Sequence, residues 1–215
     1  MPTDETIVKS KQRVADHGEV FTPSHIVNAM LNLVKEESER IDSRFLEPAC
    51  GEGNFLKEVL SRKLATVQTK YGKNEFERRH YALLALMCIY GIEILEDNAQ
   101  LCRSNLAEIF EKFIGNKDAD QWNKAAAAVL AVNIVHADAL TMKTSKGESL
   151  VFPEWGYLGR GKFQRRDFKY DNLAQRSSFK GTLFDGMEMD EIFKPVKNFN
   201  PLTVRQIAEL GENDV

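Results

Sequence analysis

Helical and strand-like patterns of apolar residues alternate along the first two thirds of the chain. Thr22-Pro23-Ser24 is typical of a helix start, and apolar residues then recur at helical spacing from Ile26 to Val34. The same spacing predicts helices after Asn54 and over 75–88, 96–113 and 121–132. Short apolar segments predict strands at 44–46, 90–94 and 134–136. Strands that alternate with helices favour an α/β fold, with a mostly parallel sheet flanked by helices.

The regular pattern breaks down after Thr141. Glycines and Pro153 interrupt residues 150–190, apolar periodicity is weak there, and only residues 207–210 suggest a last helix. We therefore predict a single domain with an irregular C-terminal tail. Its three parts are an N-terminal helical segment at 1–44, an α/β core at 45–150 and a loop-rich tail at 151–215.

Composition excludes several classes of protein. The 215 residues, 43% hydrophobic and 28% charged, suffice for one ordinary domain with a hydrophobic core. The net charge of -3 excludes a uniformly basic nucleic-acid coat but allows a local basic patch. The longest uncharged apolar segments, 81–92 and 125–135, are far shorter than the ~20 residues of a membrane span. With no visible signal peptide, the sequence predicts a cytoplasmic protein without a membrane partner.

Cysteine and histidine spacing predicts neither a disulfide framework nor a metal site. The 3 cysteines include no Cys-x-x-Cys pair, and the 4 histidines show no ligand spacing. We interpret Cys50 as a small packing residue and not as a nucleophile.

A glycine-bearing turn joins the first predicted strand to the next helix. It reads Glu47-Pro48-Ala49-Cys50-Gly51-Glu52-Gly53-Asn54-Phe55, and its glycines allow a ligand to approach the main chain closely. Taken alone, Gly-x-Gly after a strand is also typical of an ordinary tight turn. A dinucleotide-binding turn would have a third glycine where Leu56 stands, so the pattern does not favour a nicotinamide site.

Acidic residues end the second and third predicted strands. Glu93 lies where a carboxylate can accept both hydroxyls of a ribose, or else remain a solvated charge. Asp138 can accept a hydrogen bond from an adenine amino group, with Leu140 or Ile94 against the ring, or else cap the following turn. Open parallel sheets bind ligands at the carboxyl ends of their strands, so these positions together predict a binding site.

These segments resemble adenine-N6 DNA methyltransferases, including the modification subunits of restriction systems. The turn at 47–56 is similar to that family's S-adenosylmethionine loop, Asp/Glu-Pro-Ala-Cys-Gly-Ser-Gly-Asn/Ala-Phe-Leu. Gly18-Glu19-Val20-Phe21-Thr22-Pro23 resembles the family segment that closes over the methionine part of the cofactor. The order of the two segments is that of type I-like and gamma-class members, and the resemblance covers residues 17–141.

The resemblance implies a Rossmann-like S-adenosylmethionine-dependent methyltransferase fold and S-adenosylmethionine as the cofactor. Carried over position by position, the residues that it implies for cofactor binding are Phe21, Thr22, Pro23, Glu47, Pro48, Ala49, Cys50, Gly51, Gly53, Asn54, Phe55, Glu93, Ile94, Asp138, Ala139 and Leu140. It also implies DNA as a partner, in a restriction-modification context.

The family's catalytic Asn/Asp-Pro-Pro-Tyr/Phe motif is missing from the sequence. In the family it follows the fourth strand, where two acceptors hydrogen-bond the adenine amine and the aromatic residue stacks on the flipped base. Residues 168–171 look like the approach to that strand, but 172–179 do not contain the motif, and the 6 prolines include no adjacent pair. Asn200-Pro201 is the closest string, without a preceding strand or a following aromatic residue. The catalytic residues are therefore not identified, and we predict little or no unaided methyl transfer.

Basic and aromatic residues are interleaved between Trp155 and Gly181. Such a stretch can neutralise phosphates and stack on unpaired bases, or it can be a charged loop whose aromatic residues pack against the sheet. The nucleic-acid candidates are Arg160, Lys162, Arg165, Arg166 and Lys169.

Two functional hypotheses remain open. The first is a DNA methyltransferase that transfers a methyl group directly to an adenine amine, without a metal or a covalent intermediate. The second is a non-catalytic cofactor- or DNA-binding subunit that needs a specificity or complementing protein chain. A small-molecule methyltransferase is less favoured, because the Pro-Ala-Cys-Gly and Phe-Thr-Pro segments together resemble nucleic-acid enzymes.

Overall fold

The computed structural model describes residues 10–17, 19–20, 22–115, 119–170 and 194–213. Its helices are α1 Lys11–His17, α2 Ser24–Leu33, α3 Lys35–Glu39, α4 Asn54–Tyr71, α5 Glu75–Met87, α6 Glu96–Ile114, α7 Ala119–Asn133 and α8 Val204–Asn213. Its strands are β1 Phe45–Glu47, β2 Ile89–Glu93, β3 Ile134–Asp138, β4 Lys143–Thr144, β5 Val151–Gly159, β6 Lys162–Lys169, β7 Lys197–Asn198 and β8 Leu202–Thr203.

The first sheet has the strand order β1-β2-β3-β4. β1 pairs with β2 and β2 with β3 in parallel, whereas the two-residue β4 is antiparallel to β3. The predicted α/β class is therefore confirmed, and the helices and parallel strands lie close to their predicted positions. The carboxyl ends of β1, β2 and β3 meet at one edge of this sheet, as the sequence analysis expects.

Different elements pack against the two faces of the parallel sheet. Ile89 belongs to the main core cluster, which α4, α5, α6 and α7 supply with buried apolar residues. Tyr90 and Ile92 point to the opposite face, where Leu150 and Phe152 complete a second buried cluster. On that face the prediction of helices is wrong: the start of β5 covers it, and the Tyr90 hydroxyl donates to the Pro153 carbonyl at 2.8 Å.

The prediction of a loop-rich, irregular tail is wrong for the described part of residues 151–215. β5 and β6 form a long antiparallel hairpin, which β7 and β8 extend into a second sheet. Gly159 and Gly161 have φ of 80° and 75°, so they form the turn between two strands and do not mark a continuous loop. β6 is an antiparallel strand of this second sheet and not the expected fourth parallel strand. Residues 172–179, which follow the expected approach to the fourth strand, lie outside the described residues.

The hairpin crosses the parallel sheet from its carboxyl ends toward its amino ends. Near the start of the hairpin, the rings of Phe152 and Tyr90 meet edge-on, with their centroids 5.7 Å apart. Farther along, the Trp155 indole donates to the side-chain oxygen of Asn133, just before β3, at 3.0 Å. Asn133 in turn donates to the carbonyls of Met87 and Ile89, both at 3.0 Å. This buried amide therefore joins the amino ends of β2 and β3 to the hairpin.

A buried lysine organises the chain before β1. The Lys63 side chain is 0% exposed, and its Nζ donates to the carbonyls of Arg40 and Ile41 at 3.0 Å and to that of Ser43. Burial lowers the pKa of Lys63 to about 8. The three carbonyl partners replace the water that the ammonium loses on burial.

Within the described ranges, no helix combines the length and apolar character that a membrane span requires.

Candidate functional site

A cavity of about 360 Å³ opens at the carboxyl ends of β1, β2 and β3, and we name it the cofactor cleft. The predicted cofactor residues that line it are Thr22, Glu47, Pro48, Ala49, Cys50, Gly51, Asn54, Phe55, Glu93, Ile94, Asp138, Ala139 and Leu140. Pro23 and Gly53 lie next to lining residues without lining the cleft, and Phe21 lies outside the described residues. The structure thus brings four separate chain segments together, at 22, 47–55, 93–94 and 138–140, as the sequence analysis expects.

The glycine turn is held by backbone hydrogen bonds. The Cys50 amide donates to the Ile92 carbonyl at 3.0 Å, and the Gly53 amide donates to the Cys50 carbonyl at 2.8 Å. Gly51 and Gly53 have φ of 52° and 83°, a region that disfavours other residues. Gly53 precedes α4, so the turn ends at a helix N-terminus. The floor of the cleft is therefore formed by the main chain in a fixed conformation.

β2 approaches this turn closely because position 91 is a glycine. A Cβ atom at Gly91 would lie 2.8 Å from Cys50 Sγ and 3.1 Å from Ile134 Cδ1. Cys50 is buried, and its hydrogen bond with Cys102 and its burial raise the pKa of its thiol. These contacts support the interpretation of Cys50 as a packing residue. Sequence analysis did not single out Gly91 for this role.

Glu93 fixes the glycine turn and faces the cleft. Its Oε2 accepts from the Gly51 amide at 2.8 Å, and its Oε1 accepts from the Leu95 amide at 3.0 Å. The side chain is buried, so the alternative of a solvated strand-end charge does not describe it. A carboxylate has about four acceptor positions, so each oxygen retains capacity for a ligand hydroxyl.

Asp138 caps the turn that follows β3. Its Oδ1 accepts from the amides of Leu140 and Thr141 at 2.8 and 3.4 Å. The hydrogen bond from Leu140 lowers the pKa of this carboxyl, which is therefore ionised at neutral pH. The capping alternative is thus present, and it leaves acceptor capacity on a residue that lines the cleft.

Glu47 lies half-buried at the end of β1 and lines the cleft. Burial raises the pKa of its carboxyl above the ordinary 4.5. Because water solvates this carboxylate poorly, a cation in the cleft would interact with it strongly.

Glu19 joins the N-terminal segment to the cleft, and sequence analysis did not identify it as a site residue. Its carboxylate accepts from Arg13 Nε at 2.7 Å, from Arg13 Nη2 at 2.8 Å and from Asn98 Nδ2 at 2.6 Å. Arg13 also pairs with Asp97 at 2.9 Å, and the two carboxylates raise the pKa of Arg13. This network attaches the segment before α2 to the first turn of α6.

The sequence analysis missed other lining residues besides Glu19. They are Val20, Met30, Leu95, Asn98 and Ala137. Val20 lies inside the segment 18–23 that resembles the family's closing segment, and Leu95 follows Ile94, so the sequence carried a signal for both. Met30 and Asn98 lie on helices that fold back over the cleft, and local sequence carries no signal for them.

The charge of the cleft has one sign. Its lining includes the carboxylates of Glu19, Glu47, Glu93 and Asp138, and none of its described lining residues is Lys or Arg. Arg13, which does not line the cleft, pairs with Glu19 and offsets its charge. The cleft is therefore suited to a ligand that carries positive charge and hydroxyl or amino donors, and unsuited to a polyphosphate.

The basic-aromatic stretch is built differently from a nucleic-acid interface. Trp155, Phe163 and Phe168 are buried, so they pack in the core and are not available to stack on bases. Arg165 pairs with Asp167 at 2.7 Å and lies over the rings of Trp155 and Phe199. For Trp155, Phe163 and Phe168, the structure therefore supports the alternative in which the aromatic residues pack inside, whereas Tyr157 and Tyr170 are half-buried.

The other basic candidates remain on the surface, at different places. Arg166 is exposed and pairs with Glu154. Arg160 and Lys162 lie at the hairpin turn, on the amino-end side of the sheet, whereas Lys169 lies at the hairpin end nearer the cleft. DNA contact by these residues stays a prediction.

Within the described ranges, no group of three or more His, Cys, Asp or Glu side chains is arranged to hold a metal ion.

The model of the N-6 DNA methylase family matches residues 6–143, which is more than half of the 215-residue chain. The matched range contains every residue that lines the cofactor cleft and ends at β4, before the hairpin. No curated protein and no solved structure matches the chain significantly.

Proposed function

The chain belongs to the N-6 DNA methylase family, and from this premise we propose that it binds S-adenosylmethionine in the cofactor cleft. The parallel strands β1, β2 and β3 would then form part of a Rossmann-like methyltransferase fold. The methyl acceptor would be an adenine amine in DNA, as the resemblance of the glycine turn and the Phe-Thr-Pro segment implies.

The observation that carries this proposal is the acidic lining of the cleft. S-adenosylmethionine has a sulfonium and an ammonium group against one carboxylate, so its net charge is positive, and it also carries ribose hydroxyls and an adenine amine. Its cations and its hydroxyl and amine donors are attracted by carboxylates, and the cleft offers four carboxylates without a described Lys or Arg in the lining. Its volume of about 360 Å³ is in the range of small-molecule sites.

The residues of the cleft fit separate parts of the cofactor. Glu93, fixed by two backbone amides, would accept the ribose hydroxyls. Asp138 would accept a hydrogen bond from the adenine amine. Ile94 and Leu140 have exposed apolar side chains at the rim, which would cover the two faces of the ring. When bound, the cofactor would supply an electrophilic methyl group on a cationic sulfur.

The network around Glu19 would keep the N-terminal segment over the bound cofactor. Thr22 and Val20 line the cleft from this segment, and Arg13 holds Glu19 against Asn98. Closure of such a segment excludes water from the reacting groups.

A second candidate function is favoured by the missing catalytic motif. The 6 prolines of the chain include no adjacent pair, so these 215 residues do not supply the family's acceptor loop. In addition, the part of the chain after β3 that the structure describes pairs in antiparallel fashion and includes no fourth parallel strand. The alternative is therefore a cofactor-binding subunit that a complementing chain completes.

Calorimetry of the purified chain with four ligands tests the proposal. We expect S-adenosylmethionine and S-adenosylhomocysteine to bind, adenosine to bind more weakly and ATP to bind worst, because its phosphates meet carboxylates. Ligand at 100 times its dissociation constant should stabilise the fold by about 2.7 kcal/mol. No heat and no melting shift with S-adenosylmethionine, or a preference for ATP, would contradict it.

A further inference from the structure

A second cavity lies at the opposite end of the parallel sheet. It has a volume of about 520 Å³ and is bounded by the loop before β1, the end of α4, the middle of α5 and β5. Its lining includes Arg40, Arg44, Lys70, Tyr71, Tyr81 and Tyr157, and we name the cavity the amino-end pocket. Arg44 directly precedes β1, so the pocket and the cofactor cleft are separated by the length of the strands.

The charge of the amino-end pocket is opposite to that of the cleft. Arg40, Arg44 and Lys70 are its cationic lining residues, and Asp42 is its one described acidic lining residue. Such a concentration of positive charge is unexpected in a chain with a net charge of -3. Glu37 and Asp42 pair with Arg40, and Glu154 pairs with Arg44, so among the described residues Lys70 carries the uncompensated positive charge of the lining and the two guanidinium groups contribute hydrogen-bond donors to an anion.

These cations keep hydrogen-bonding capacity for a ligand. Arg40 Nη2 donates to Glu37 at 2.7 Å, and Arg44 Nη2 donates to Glu154 at 2.7 Å. A guanidinium has five N–H donors, so each keeps donors after this pairing. No carboxylate of the described residues lies within 4.0 Å of Lys70 Nζ. A phosphate group matches both guanidinium forks and the ammonium.

Tyrosine rings form another part of the pocket lining. Tyr71 and Tyr81 are stacked with centroids 3.9 Å apart, and Tyr157 meets Tyr81 edge-on at 5.2 Å. The hydrogen bond with Tyr71 raises the pKa of Tyr81 to about 12, so its hydroxyl stays protonated and uncharged. Half-exposed aromatic rings beside cations are suited to a planar ring that carries a phosphate.

We propose that the amino-end pocket binds a small ligand that combines a phosphate monoester with a planar ring, of the nucleoside monophosphate class. The volume of the pocket falls in the range of small-molecule sites and not of a polymer groove. This site is independent of the cofactor cleft, because no residue lines both cavities.

Calorimetry of the full chain with uridine monophosphate, uridine and inorganic phosphate tests the proposal. These probes lack the adenine and the cationic groups for which the cofactor cleft is suited, and uridine, which shares the ribose of uridine monophosphate, reports any binding through the ribose alone. We expect uridine monophosphate to bind with a dissociation constant below about 1 mM, at least ~10-fold tighter than inorganic phosphate, and uridine not to bind. No heat with uridine monophosphate, or equal affinity for uridine or for inorganic phosphate, would overturn it.

A pair of charge-reversal variants assigns the binding to this pocket. Lys70→Glu should weaken the binding of uridine monophosphate at least ~10-fold, because the phosphate then meets a carboxylate. Lys73→Glu is the matched control, since Lys73 is an exposed lysine three residues further on that does not line the pocket, and it should change the affinity by less than about 2-fold. Equal effects of the two variants would contradict the assignment. S-adenosylhomocysteine binding, measured on the same samples, should be unchanged by either variant, so failure of the cofactor proposal is seen separately.

Discussion

Glu93 accepts hydrogen bonds from the backbone amides of Gly51 and Leu95, so the loop that shapes the cleft also fixes its carboxylate. A side chain held in this way is positioned before a ligand arrives. Pre-organised acceptors lose little conformational entropy on binding, which raises the affinity for ligand hydroxyls.

Substitutions of Glu93 test whether its carboxylate binds the ligand hydroxyls in addition to holding the glycine turn. Glu93→Ala should weaken S-adenosylhomocysteine binding by about 1.5–3 kcal/mol, because the buried ribose hydroxyls lose a charged acceptor. Glu93→Gln keeps one acceptor oxygen and should weaken binding less. Calorimetry measures both, with Glu96→Gln as the control, since Glu96 is an exposed residue at the start of α6, three positions after Glu93. An unchanged affinity of Glu93→Ala would mean that Glu93 supports the loop without touching the ligand.

Glu47 predicts a pH dependence of cofactor binding. Burial raises the pKa of its carboxyl above 4.5, and a cationic ligand favours the ionised form. Affinity for S-adenosylmethionine should therefore fall as the pH is lowered from neutral through this raised pKa toward 4.5. Glu47→Gln should flatten the profile, and uncharged adenosine should show none of this dependence.

The raised pKa of Glu47 also affects the folding stability of the protein without ligand, and in the opposite direction to its effect on affinity. A raised folded-state pKa means that stability is lost as the pH rises through it. Glu47→Gln should then melt at a higher temperature than the parent chain at pH 7. Identical pH profiles of binding for the parent chain and Glu47→Gln would contradict this account of Glu47.

Some site residues were predictable from sequence and others were not. Glu93 and Asp138 follow strands of a parallel sheet, and that position alone brings them to one edge. Glu19 and Asn98 meet because the segment before α2 folds back onto α6, 79 positions apart in sequence. Such a contact depends on the tertiary fold, and no local pattern encodes it.

Among the strands, the approach of β2 to the glycine turn depends on Gly91. Gly91→Ala would place Cβ 2.8 Å from Cys50 Sγ, and the resulting overpacking should cost about 1–3 kcal/mol of unfolding free energy. Gly156→Ala in β5 is the matched control, because nothing lies within 4 Å of its added Cβ. That variant should stay within about 1 kcal/mol of the parent chain in urea unfolding. Equal stability of the two variants would contradict the close packing of β2 on the turn.

Arg165 in β6 should behave as a structural residue. It pairs with the buried Asp167, and removing one partner of such a pair typically costs about 3–5 kcal/mol. Arg165→Ala should therefore lower the urea midpoint clearly, whereas Lys162→Ala at the exposed hairpin turn should change stability by less than about 0.5 kcal/mol. If Arg165→Ala folds normally and instead reduces the salt dependence of DNA binding, this interpretation is wrong.

The helices and parallel strands could be predicted because their apolar periodicity is regular. The hairpin could not, because β5 buries the neighbours Phe152 and Pro153 and then Trp155, which breaks the alternation typical of a half-buried strand. Gly159 and Gly161 then resembled loop residues, although they form one tight turn. Trp155, Phe163 and Phe168 are core residues because the two strands of the hairpin pack one face against the rest of the fold.

Considered as a whole, the molecule has an acidic cavity at the carboxyl ends of its parallel strands and a basic cavity at their amino ends. Under the two proposals made above, the cavities bind ligands of opposite charge. Sequence analysis predicted the acidic end, because its residues follow strands. It did not predict the basic end, whose lining comes from a loop, two helices and the hairpin.

The purified chain alone should methylate DNA very weakly or not at all. Cofactor binding leaves the adenine amine without the acceptors and the stacking ring that the Asn/Asp-Pro-Pro-Tyr/Phe loop provides in the family. Loss of two such effects at ~3 kcal/mol each slows the step by about four orders of magnitude. Transfer of tritiated methyl groups to unmethylated DNA measures this, with and without cell lysate.

The outcomes of that assay separate the two candidate functions. Transfer only in the presence of lysate would support a cofactor-binding subunit that a partner chain completes. Robust transfer by the purified chain would contradict the prediction and would assign catalysis to residues outside the family motif, such as Asn200-Pro201.

A crystal structure of the chain soaked with S-adenosylhomocysteine tests the central claim most directly. The account predicts ligand density in the cofactor cleft, with the ribose hydroxyls on Glu93, the adenine amine on Asp138 and the ring between Ile94 and Leu140. Ligand in another place, or no density at a concentration that saturates binding in solution, would contradict it.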